Sequence, residues 1–159
     1  TRMIEAELTK HPQLVLLGDF NIAPGDLDVY DPIAWAGQIH CSVLEREALA
    51  SLCALGLHDS YRVMQPNTQA FSWWDYRQAA FARNLGLRID LALVSDALKT
   101  RLQAVGIDKY PREQTSPSDH APVWLSLAMS DTVKISLAMR DTVETSLAMS
   151  DTAKMSLNL

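Results

Sequence analysis

The chain has 159 residues, 48% of them hydrophobic and 21% charged, a size and balance that suit one globular domain. Fourteen Lys and Arg stand against nineteen Asp and Glu, a formal charge of −5, which argues against a non-specific polyanion binder with its usual basic patch. No run of about 18 apolar residues occurs, so no membrane helix, and no membrane partner, is expected.

The first residues, TRMIEAELTKHPQ, do not begin with Met and show no signal-peptide pattern. They read as a helix over 1–10 entered part-way, so a start inside a longer protein is expected. Residues 14–17 are all apolar, as in a buried strand. Residues 23–37, rich in Pro, Gly and Asp, predict loop. Ser42 with Glu45 makes a capping box, and the helix after it turns Leu49, Leu52, Cys53 and Leu55 to the core before Gly56 stops it. Aromatic 70–76 and apolar 88–94 read as strands. Ser95 heads a helix to Leu102, 105–110 and 123–127 complete the strands, and 111–118 is loop. Strands alternating with helices place the chain in the α/β or mixed α+β class. Cys41 and Cys53 lie twelve apart without a CxxC or a paired His, so they are expected to be reduced, in a cytoplasmic setting.

From Ser126 the text repeats every ten residues: SLAMSDTVKI, SLAMRDTVET, SLAMSDTAKM, then SLNL. Odd positions are almost all apolar and even positions small or polar, a period of two that belongs to strands. Ten residues at 100° miss helical closure by about 80°, so no apolar stripe forms. The tail, 128–159, is therefore expected to be separate from 1–127. It is a poorly ordered or edge-pairing segment, short strands extending the last sheet, or a helix or binding module. Its low charge makes it an aggregation risk.

Three places carry polar groups suited to chemistry. Asp19 and Asn21 follow the first strand two positions apart, so they share a face at its end, where one hard cation or one water is readily held; a simple turn is the plain alternative. Asp90 sits inside RIDLALV, where a carboxylate needs a partner. Asp119 and His120 are adjacent in SPSDHAPV. A poised His usually donates its second ring N–H to a carboxylate, and Asp90 is the natural candidate. His11, His40 and His58 lack ligand spacing and read as structural or exposed.

Taken together, GDFN at 18–21, RIDLALVS at 88–95 and SDHAP at 118–122 resemble the endonuclease/exonuclease/phosphatase superfamily. The text between them (GDFNIAPGDLDVYDP, CSVLEREALASLCALGLHDSYR, FSWWDYR, NLGLRIDL and PSDHAPVW) is similar to the bacterial exonuclease III type of AP endonuclease over residues 1–127. The resemblance implies the C-terminal half of a four-layer α/β sandwich and Mg²⁺- or Mn²⁺-dependent hydrolysis of double-stranded DNA at abasic sites or 3′ ends. It implies that Asp19 handles the proton of the attacking water, that Asn21 holds phosphate oxygens, and that Asp90 orients His120 against the scissile phosphate. Asp119, with Asp19 and Asn21, would face the metal. Trp73, Trp74, Leu87 and Ile89 would line the sugar pocket or wedge the helix, and Arg77 and Arg88 would contact phosphates. An N-terminal half, with a metal-binding Glu and a catalytic Tyr, has no match here. Little or no activity is then expected of this chain alone, and Leu14, Leu16, Leu91 and Leu93 are expected to lose their cover. A sibling phosphatase and a non-catalytic fragment with a β-prone tail are the alternatives.

Overall fold

The computed structural model describes residues 2–128, 136–138 and 152–157. Helix α1 (Arg2–Lys10) leads into strand β1 (Leu14–Asp19), and a long irregular segment then reaches α2 (Val43–Cys53). Strand β2 (Leu57–Asp59), α3 (Ser60–Met64), β3 (Asp90–Ser95), α4 (Asp96–Lys99), β4 (Leu102–Ile107) and β5 (Val123–Ala128) follow. Within the tail lie β6 (Ser136–Ala138) and β7 (Thr152–Leu157).

Two sheets form, in the orders β2-β3-β1-β6 and β4-β5-β7. β1 and β3 are antiparallel, with Leu16 opposite Leu93 and Asp19 opposite Asp90. Both are apolar on both faces because both faces are covered. Leu14, Leu91 and Leu93 pack with Ile4 of α1 and with Leu49 and Leu57. Val15, Leu17, Ala92 and Val94 pack with Val123, Leu125 and Leu127 of β5. The order is helices, sheet, sheet. The expected uncovered face is therefore corrected: Leu14, Leu91 and Leu93 are fully buried under α1 and α2.

Local sequence explains the ends. Ser42 accepts from the Glu45 amide while Glu45 accepts from the Ser42 and His40 amides, the capping box read from the sequence. Past α2 the backbone passes through Gly56 at φ +92, a conformation that favours glycine. Ser95 was expected to cap a helix, yet its hydroxyl accepts from the Leu14 amide instead, and α4 ends at Lys99. Residues 70–76 make no strand ladder. Trp73 forms isolated bridges to Leu87 and His120, because the aromatic side chains are packed as loop anchors. β2 and α3 were not foreseen; both are too short for a periodic signal. The repeat tail contributes the strands β6 and β7; the disorder and helix readings otherwise fall outside the described residues.

Candidate active site

The antiparallel pairing of β1 with β3 sets the site. Asp19 ends one strand, Asp90 begins the other, and the register makes them direct neighbours. Both continue the rows that face the second sheet, so two carboxylates stand at the mouth of the cleft between sheets. The loop bearing His120 is sewn to the same place. The Ala121 amide donates to the Ser72 carbonyl (2.6 Å) and the Trp74 amide to the Asp119 carbonyl (3.0 Å). Behind the loop, the buried Arg112 donates to the Ser118 carbonyl and lies 4.8 Å over the Phe81 ring.

His120 Nδ1 lies 2.9 and 3.0 Å from the two oxygens of Asp90. Asp19, Asp90 and His120 each offer an atom within 4.8 Å of the others. Burial pushes the Asp90 carboxyl up, and the bond from His120 offsets only part of that. Burial alone would lower His120; the bond and charge of Asp90, joined by the charges of Asp19 and Asp119, outweigh it and raise the imidazole above its ordinary range. The pair therefore holds its proton more firmly than separate groups would. Since a carboxylate only accepts, Nδ1 carries a proton and Nε2 is the atom left to face the cleft.

Asn21 does not share a face with Asp19 through strand alternation. The chain turns at Asn21 (φ +54), and both its amide and its Nδ2 donate to the Asp19 carboxylate, at 2.8 and 2.9 Å. The turn and the site are one object: an Asx turn that holds Asp19 from behind. Asp119 is adjacent, but one of its oxygens accepts from the Trp73 indole (3.0 Å), and it stands outside the three-residue cluster.

Of the residues expected at a DNA surface, Trp73 and Arg77 border an open cavity of about 320 Å³ with Tyr30 and Trp35. Trp74, Leu87, Arg88 and Ile89 do not reach a surface; each is 0–2% exposed. Arg88 is spent on structure, with Nε 2.7 Å from Asp28 and its two terminal nitrogens 3.0 and 2.6 Å from Asp59. No phosphate can compete for a guanidinium already held by two carboxylates in the interior. Trp74 packs edge-on against Phe71 and Phe81.

Two contributors escaped the sequence. Ser72, fully buried, accepts from the Ile89 and Asp90 amides (both 3.1 Å) and so places Asp90; a serine in an aromatic run gives no hint of partners seventeen residues away. His40 donates from Nδ1 to the Asn21 carbonyl (2.7 Å), with its ring 6.1 Å from that of Trp73. Without ligand spacing, His40 reads from the sequence only as structural or exposed.

A buried carboxylate–imidazole pair thus stands beside an exposed carboxylate–carboxamide turn. The profile of the Endonuclease/Exonuclease/phosphatase family matches residues 4–120, and the chain belongs to that family. It is 41% identical to exodeoxyribonuclease III of Haemophilus influenzae over 128 residues, 76% of this chain and 48% of the relative. A Neisseria structure described as the 3′ phosphatase NExo bound to product DNA hairpin is 50% identical, with a TM-score of 0.76 over 77% of this chain and 48% of that one. An AP endonuclease from Archaeoglobus fulgidus follows at 31% identity and a TM-score of 0.70, over 77% and 49%. The chain thus spans about half the length of the curated relatives it matches.

Proposed function

We propose that residues 1–127 form one wall of a DNA phosphodiesterase of the exodeoxyribonuclease III and AP endonuclease type, with 128–159 a separate tail. The observation that carries this is His120 held by Asp90 at 2.9 Å beside Asp19. Its substrate would be double-stranded DNA at abasic sites or 3′ ends. The 3′ phosphatase description of the Neisseria relative makes 3′-phosphate release the second reaction to assay. The free thiols of Cys41 and Cys53 agree with a cytoplasmic setting.

The residues act in sequence. Asp19, exposed and fixed by Asn21, takes the proton of the attacking water. His120, held and raised by Asp90, presents Nε2 to the phosphate as charge builds on its oxygens. Asp90 holds that ring in one orientation and tautomer. Asp19, the side-chain amide oxygen of Asn21 and Asp119 are hard oxygen donors that fit Mg²⁺ or Mn²⁺, whereas Asp90 is committed to His120. When bound, the ion would neutralise phosphate charge and acidify a water. Trp73 and Arg77, at the open cavity, are the groups placed to meet DNA.

The other wall would come from a segment equivalent to the rest of the relatives' length. Lacking it, the chain should run at least about a thousandfold slower than a whole relative, or ~4 kcal/mol at 1.4 kcal/mol per decade. The test is incision of abasic duplex and release from 3′ ends with Mg²⁺, with and without the N-terminal half of the Haemophilus enzyme. Rescue that is lost in Asp19→Asn and in His120→Gln is the expected result. Full turnover by the chain alone would overturn the incompleteness, and a rescued activity indifferent to both variants would overturn the nuclease assignment.

A further inference from the structure

Strand β5 reads VWLSLA, six residues without a charge, and buries Val123, Leu125 and Leu127 at 5%, 0% and 1% exposure. One of its edges is taken by β4, and the other by β7 from the third repeat. Bare, that second edge would be an apolar template open to any strand it met. The register puts Leu157, Met155 and Ala153 opposite the three buried residues, and Ser156, Lys154 and Thr152 opposite Trp124, Ser126 and Ala128. Apolar repeat positions meet core positions along the whole ladder.

A strand keeps its faces only if it slips by an even number of residues, and the repeat is ten. Sliding the tail by ten brings Leu147, Thr145 and Val143 to the same places; sliding it by twenty brings Leu137, Ile135 and Val133. The first repeat has the shortest path, since only residues 129–131 separate Ala128 from Thr132, a usual hairpin length. It also offers β-branched Val133 and Ile135 where the third has Ala153 and Met155. A repeat segment, Ser136–Ala138, covers the β1 edge as well, in parallel register with Leu14–Leu16.

We infer that the edge of β5 opposite β4 is a strand-docking surface whose occupant is a decapeptide repeat of this same chain, and that the three repeats are interchangeable there. Main-chain pairing holds the strand, and the alternate apolar positions select it. The near identity of the units is then what the edge needs: whichever repeat is lost, another presents the same faces.

The experiment uses the full chain and reads hydrogen exchange at β5 with light scattering for size. Met155→Pro, Thr145→Pro and Ile135→Pro each remove a ladder donor from one repeat. Each single variant should keep β5 protection and remain the size of the parent. The triple variant should lose protection at β5 and form larger species. Loss of β5 protection in any single variant overturns interchangeability, and retained protection and size in the triple variant overturn the docking itself. Exchange at β2, whose only strand partner among the described residues is β3, is read alongside; if it too collapses in the triple variant, the single variants decide.

Discussion

Replacing Arg88 with alanine should cost the fold about 3–5 kcal/mol, the usual loss when one partner of a buried ion pair is removed. The structure puts Arg88 at that end of the range. It is 1% exposed, bonds Asp28 through Nε and Asp59 through both terminal nitrogens, and lies 5.2 Å over the Tyr61 ring. Burial works against its charge, and Asp59 with Asp28 outweighs that, so the group stays ionised. Truncation strands Asp59 beside the core, while Asp28 (2% exposed) keeps Arg62 at 2.6 Å. At about 2–4 °C per kcal/mol for a chain of this size, the melting temperature should fall by roughly 6–20 °C. Urea and thermal unfolding measure it, with Arg77→Ala as the control: that guanidinium is exposed and pairs only with its neighbour Asp75, so its loss should leave the midpoint in place. A loss under about 1 kcal/mol for Arg88→Ala would refute the buried network as a structural element and reopen Arg88 as a phosphate contact.

Asp90→Asn removes the bond and the charge that do most to raise His120, leaving only the charges of Asp19 and Asp119 against burial, so the imidazole should titrate lower than in the parent when followed by NMR. The sign for stability follows. Asp90 and His120 both bind protons more tightly in the folded state, so their contribution is full at low pH and fades as pH rises from the carboxylate range through the folded value of His120, above 6.5. The variant should flatten that slope in urea midpoints taken from pH 5 to 8; an unmoved His120 midpoint would contradict the pairing. Gly86→Ala drives a methyl to 2.5 Å from Trp74 Nε1 and 2.8 Å from the Trp73 carbonyl, and should cost about 1–3 kcal/mol. A loss below about 0.5 kcal/mol would show that the aromatic layer yields.

The relation between text and structure differs from one element to the next. Strands whose two faces are both covered leave runs apolar on both faces, and those at 14–17 and 88–94, the latter broken only by Arg88 and Asp90, were legible for that reason. The capping box was legible because both partners lie within four residues. The Asp90–His120 pair was legible from chemistry: a buried carboxylate and a poised imidazole each need such a partner. Arg88, Trp74, Leu87 and Ile89 were misplaced because type and motif position say nothing about exposure. A guanidinium beside Asp90 reads the same whether it meets a phosphate or two buried carboxylates.

The sequence by itself determined the two central strands, the family motifs, the Asp90–His120 pairing and the ten-residue period of the tail, since each is written in neighbouring residues or in side-chain type. Only the tertiary structure decided that Asp19 and Asp90 face each other, that Ser72 holds the Asp90 amide, that Arg88 is interior, and that the third repeat lies on β5. These rest on strand register and on contacts between residues far apart in the chain. No local pattern encodes them; they come from burying both faces of one sheet at once.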